Sequence, residues 1–63
     1  MQINGKLVPY EPLTLQEYLR REGYSADHVV VERNLEIITK ERFANVTLQE
    51  MDDVNILHFM GGG

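Results

Sequence analysis

Sixty-three residues make one small domain, in which only about 60% of the unfolded chain's surface can be buried, leaving little room for an enclosed catalytic pocket. Cysteine is absent, which excludes disulfide staples, thiolate metal sites and a thiol nucleophile on this chain. Ten acidic against six basic residues, a net charge of −4 and a pI near 4.9 argue against a phosphate-backbone partner, so no nucleic acid is expected.

The chain opens at Met1 without a basic-then-apolar leader, and no apolar run approaches the ~18 residues of a membrane span. A soluble, cytoplasmic protein with no membrane contact is the expectation. Met1-Gln2-Ile3 alternates apolar and polar, and Lys6-Leu7-Val8 follows the dipeptide Asn4-Gly5. Asn-Gly between two such runs predicts a hairpin, because a type I′ turn needs positive φ at both central positions. Pro9 and Pro12 end the second strand, since proline donates no ladder hydrogen bond.

Thr14-Leu15-Gln16-Glu17 spells a capping box and predicts a helix from Leu15. Leu13 is placed to staple onto Tyr18, and Leu15, Tyr18 and Leu19 form one apolar stripe at i, i+3, i+4. Gly23 suits the left-handed residue that closes a helix, which limits this one to about two turns. Residues 24–28 read as a loop. Val29-Val30-Val31 has the look of a strand buried on both faces. Asn34-Leu35 marks a turn before a strand at Glu36-Ile37-Ile38. Lys40 to Phe43 fits a single helical turn with Phe43 inward, and Val46-Thr47-Leu48 a short edge segment. Asp52-Asp53 reads as a polar, solvated turn into a final strand, Val54 to Met60.

One helix can cover one face of a sheet, so the predicted architecture is a two-layer α+β domain over residues 1–60, with the last strand in the middle. Residues 61–63 form a separate tail, Gly61-Gly62-Gly63. Without Cβ atoms such a tail can lie extended in a channel that would exclude side chains, and its three residues reach roughly 10 Å. A terminal glycine run is equally what a frayed chain end looks like. No Lys or Arg occurs after Arg42, whereas Glu50, Asp52 and Asp53 do, so the last third carries −3 of the −4. That acidic end could steer the tail towards a basic partner surface.

The hairpin, the capped helix, the segment Val29–Glu32 with Asn34 and Glu36–Ile38, the acidic turn and the terminal Gly-Gly together resemble the thiamine-biosynthesis sulfur carriers, the ThiS family of the ubiquitin-like β-grasp fold. The resemblance spans essentially the whole chain. Two positions depart from the family pattern: Asp52-Asp53 stands where Gly-Asp is usual, and Asn34-Leu35 where Asn-Gly is common, which predicts a looser hairpin there. The resemblance implies a β-grasp fold: a mixed sheet of four to five strands with one main helix on one face. It also implies that an E1-like adenylating partner (ThiF-like) uses ATP to convert the Gly63 carboxylate into an acyl-adenylate. A sulfur-transfer enzyme then makes the thiocarboxylate, which delivers sulfur to a thiazole synthase (ThiG-like). The chain would bind no cofactor itself and would be a protein cosubstrate, not an enzyme.

Gly63 is therefore the candidate modified residue, with Gly61 and Gly62 giving it reach. Alternation along the last strand separates Val54, Ile56, His58 and Met60 from Asn55, Leu57 and Phe59. Asn55 suggests that its set faces away from the helix, leaving Leu57 and Phe59 as an apolar pair for partner binding. The alternative is that these two are core. His28 and His58 have no partner at metal or catalytic spacing, so neither a metal site nor a catalytic residue is expected. The rival readings are a molybdopterin-type or other ubiquitin-like carrier, and a β-grasp module that binds partners non-covalently. A free-standing enzyme is disfavoured for want of a nucleophile or a metal cluster.

Overall fold

Asn4 and Gly5 both take positive φ, 52° and 80°, the pair that a type I′ turn requires. The chain accordingly doubles back between β1 (Gln2–Ile3) and β2 (Lys6–Leu7), with Gln2 opposite Leu7 and Ile3 opposite Lys6. This is a computed structural model that describes residues 1–59, so the tail residues Gly61, Gly62 and Gly63 and the boundary after residue 60 lie outside the described residues.

Helix α1 (Leu15–Arg21) begins at the predicted capping box. The Glu17 amide donates to Thr14 Oγ1 at 3.1 Å, and the Thr14 amide donates to Glu17 Oε1 at 2.8 Å. At the other end Gly23 has φ 83°, the Gly23 amide donates to the Arg20 carbonyl at 3.2 Å, and the Tyr24 amide donates to the Leu19 carbonyl at 2.9 Å. Together these make a Schellman closure that satisfies carbonyls the helix would leave open. Leu15, Tyr18 and Leu19 are buried, as their spacing predicts.

A short 3₁₀ turn (Ala26–His28) stands in the segment read as loop, and β3 (Val29–Arg33) follows. The run Val29-Val30-Val31 is not buried on both faces: Val29 and Val31 are core, whereas Val30 is 39% exposed. The single helix covers only one side of the sheet, so the β-branched residues record strand preference here and not double burial. The Asn34-Leu35 hairpin is tight, not loose. Arg33 pairs directly with Glu36 of β4 (Glu36–Ile38), and both turn residues take positive φ, 52° and 71°. Leucine adopts the conformation that glycine would take without strain.

Lys40–Asn45 forms a 3₁₀ turn that directs Phe43 into the core. Val46-Thr47-Leu48 is an isolated bridge, Thr47 to Thr14, and not a strand of the sheet; it anchors the start of α1 and buries Val46 and Leu48. Asp52 is not a solvated turn residue. It is 4% exposed and accepts from Arg33 Nε at 2.8 Å, Asn34 Nδ2 at 3.0 Å and the Gln49 amide at 2.7 Å. Burial by itself would raise its pKa, but the Arg33 hydrogen bond and the donors from Gln49 and Asn34 hold the carboxyl below its ordinary value. Asp53 belongs to the last strand, β5 (Asp53–His58).

The five strands form one mixed sheet in the order β2-β1-β5-β3-β4. The last strand is central, parallel to β1 and antiparallel to β3. Helix α1 and the segment 40–48 cover one face, where Met1, Ile3, Val31, Ile38, Val54 and Ile56 meet Leu15, Leu19, Phe43 and Leu48. The other face has no covering layer among the described residues.

Candidate functional site: the open face of the last strand

The β5 strand combines central position with alternating burial from Asp53 to Leu57. Val54 and Ile56 point into the core, and Asn55 and Leu57 point to the uncovered face. Leu57 is 67% exposed, and Phe59, just past the strand, is 42% exposed. Of the two alternatives for this strand, the structure therefore has Leu57 and Phe59 outside the core. Two further residues join them. Val30 lies directly opposite Leu57 on β3, and Ile37 of β4, 60% exposed, lies on the same face opposite Glu32. Sequence reasoning passed over both because each sits in an apolar run; the pairing of Val30 with Leu57 is visible only once the register is known.

Phe59 is held from two sides. Its amide donates to the His28 carbonyl at 2.9 Å, extending the ladder past His58, and its ring meets the His28 ring edge-on with centroids 6.2 Å apart. His58 packs instead against Tyr24, with centroids at 5.9 Å. The two histidines thus sit where β5 leaves the sheet, each packed against an aromatic ring. Among the described residues no group of three His, Asp or Glu could hold a metal ion.

The charged residues on the open face are acidic: Glu32, which accepts from Asn55 Nδ2 at 3.2 Å, and Asp53. Of the acidic group after Arg42, Asp52 is committed to Arg33, so only Glu50 and Asp53 remain at the surface to attract a basic partner. An open groove of about 480 Å³ lies on the opposite side, between α1 and the 40–45 turn. It is lined by Leu19, Tyr24, Ala26, Phe43, Arg20 and Lys40. Lys40 is paired with Asp27 at the surface, and the groove contains no nucleophile beside a base. No helix of the described residues is long and apolar enough to cross a membrane.

What the open strand can do is present an apolar surface next to the point where the chain runs on into Met60 and the three glycines. It offers no acid/base pair of its own. The family model described as the ThiS family matches residues 1–63. The sulfur carrier protein ThiS of Bacillus subtilis is 43% identical over 65 residues, covering 100% of this chain and 98% of that protein. A thiazole synthase of Magnetococcus marinus is 38% identical over 50 residues, which is 79% of this chain but only 15% of that much longer protein. Among solved structures, the crystal structure of the thiamine biosynthesis protein ThiS from Geobacter metallireducens superposes with a TM-score of 0.74 at 35% identity, covering 98% of this chain and 96% of that one. A five-stranded sheet with a central last strand under one capped helix, matched over the full chain in sequence and over 98% of it in structure, is a β-grasp domain, and the chain belongs to the ThiS family, the sulfur carriers of thiamine biosynthesis.

Proposed function

We propose that the working group of this carrier is the terminal carboxylate of Gly63. A carboxylate is a poor electrophile, so it must first be activated. An E1-like (ThiF-like) partner joins it to the α-phosphorus of ATP, releasing pyrophosphate, and the resulting acyl-adenylate has AMP as a good leaving group. Sulfide-level sulfur (HS⁻) released by a sulfur-transfer enzyme then attacks the Gly63 carbonyl and expels AMP, leaving the thiocarboxylate. That soft nucleophile passes its sulfur to a ThiG-like thiazole synthase. The chain is consumed and recycled as a cosubstrate and needs no bound cofactor.

The observation that carries this reading is family membership over the full chain, including the terminal glycines. Two others support its partner side. A segment similar to this chain lies within a thiazole synthase of Magnetococcus marinus, which fits a working association between the two. The uncovered apolar residues Leu57 and Phe59, extended by Val30 and Ile37, lie beside the origin of the tail and are the surface on which a partner would dock.

Intact-mass analysis tests the chemistry. After incubation with ATP, the adenylating partner and a sulfur source, the chain is expected to carry first an adenylate and then sulfur in place of one oxygen at Gly63. A chain that never acquires either overturns the reading.

A further inference from the structure

The hydrogen-bond pattern of β5 leaves part of a central strand with an open edge. Two bonds bracket its ladder with β3: the Asn34 amide to the Asp53 carbonyl at 2.8 Å, and the Phe59 amide to the His28 carbonyl at 2.9 Å. In an antiparallel ladder the backbone groups alternate sides. Asp53, Asn55, Leu57 and Phe59 therefore turn theirs towards β3, whereas Val54, Ile56 and His58 turn theirs towards β1.

On that second side the neighbouring strand runs out early. The last parallel pair is Ile3 with Val54, and the Asn4 amide still reaches the Val54 carbonyl at 2.8 Å. Asn4 then enters the turn with φ 52°, and its side-chain oxygen, not a backbone carbonyl, accepts from the Ile56 amide at 2.7 Å. Beyond this side-chain cap the chain has turned back into β2. The Ile56 carbonyl and the His58 amide and carbonyl face the same side and have no hydrogen-bond partner among the described residues. Three backbone groups in a row, in extended conformation, form the template to which a further strand adds.

We infer that this open edge of β5, from Ile56 to His58, is a strand-addition site, and that its occupant is an extended segment of the thiazole synthase that receives the tail. The inference rests on the sulfur-donation reading above and goes beyond it by assigning a backbone site. The edge is continuous with the Leu57–Phe59 surface, so one partner segment can meet both. A thiazole synthase is the partner class whose own chain contains a segment like this one, as in Magnetococcus marinus. Pairing in the strand register also fixes the direction in which residues after His58 leave the sheet, which positions the tail more narrowly than an apolar patch does alone.

Amide exchange on the isotope-labelled full chain, alone and with the thiazole synthase, tests the site. In the free chain the His58 amide is expected to exchange close to the unprotected rate while the Phe59 amide, bonded to His28, is protected. With the synthase, His58 exchange is expected to slow by about tenfold or more. No slowing, slowing only with the adenylating enzyme, or slowing with rising concentration of the free chain would each overturn the inference. Affinity gives a second measure. His58→Pro removes the amide hydrogen at an edge position, and His58→Ala removes only the ring. The proline variant is expected to bind the synthase about tenfold more weakly, the alanine variant like the parent. Equal weakening by both, or by neither, speaks against the edge. If the proline variant does not fold, the exchange measurement on the parent chain still decides. Both measurements use the unmodified chain, so a failure to find sulfur at Gly63 would remove the donation reading without touching this result.

Discussion

Leu35 takes a φ of 71° at the tip of a two-residue turn and is 89% exposed, so nothing in the core compensates for the clash of its Cβ with the backbone. Glycine at that position relieves roughly 1 kcal/mol of strain. Leu35→Gly is accordingly expected to raise the melting temperature by roughly 4–8 °C, the shift that 1 kcal/mol produces in a domain of this size. Asp52 is the opposite case, a residue that looks like surface in sequence and is buried in space. Its carboxylate ties the 33–34 turn to the lead-in of β5, and its depressed pKa means that the folded state binds the ionised form more favourably than the unfolded chain does. The stability this provides is fully present above the unfolded carboxylate value of about 3.9, and is lost as pH falls through the lower folded value. Asp52→Asn is therefore expected to destabilise the domain by about 2–3 kcal/mol at neutral pH. Below pH ~4 the difference from the parent should shrink, and urea unfolding across that range measures both effects.

Among the elements, β5 buries Val54 and Ile56 and exposes Asn55 and Leu57, and variants separate the two sets. Ile56→Ala empties core volume and is expected to lower stability by about 3 kcal/mol. Leu57→Asp and Phe59→Asp alter exposed positions; their melting temperatures should stay within a few degrees of the parent, while binding to the adenylating enzyme or the thiazole synthase weakens by about tenfold or more. A collapse in melting temperature would place these side chains in the core after all. The helix was legible from sequence at both ends because its signals are local: a capping box three residues apart and a glycine that alone relieves a left-handed closure. The faces of β3 were misread for the converse reason. Three valines in a row carry no period, and whether Val30 is covered depends on how many helices the whole chain supplies.

At the scale of the molecule, the buried residues among those described fall between Met1 and Ile56. Deleting Gly63, or adding one residue after it, is expected to leave thermal unfolding unchanged and to abolish thiocarboxylate formation, as read by intact mass. An extended chain that still accepts sulfur without trimming would show that the Gly63 carboxylate is not the acceptor. The sequence by itself determined the fold class, the Asn4-Gly5 hairpin, the limits of α1, the inward Phe43 and the exclusion of thiol chemistry. The last four follow from short-range sterics or composition, which need no knowledge of distant neighbours, and the fold class from the order of the elements and the family resemblance. Tertiary structure alone decided the burial of Asp52, the pairing of Val30 with Leu57, the place of Ile37 on the same open face, and the open backbone edge from Ile56 to His58. Those depend on register and on where a neighbouring strand stops, and both are set by contacts between segments far apart in the chain, Asn4 with Ile56 and Arg33 with Asp52.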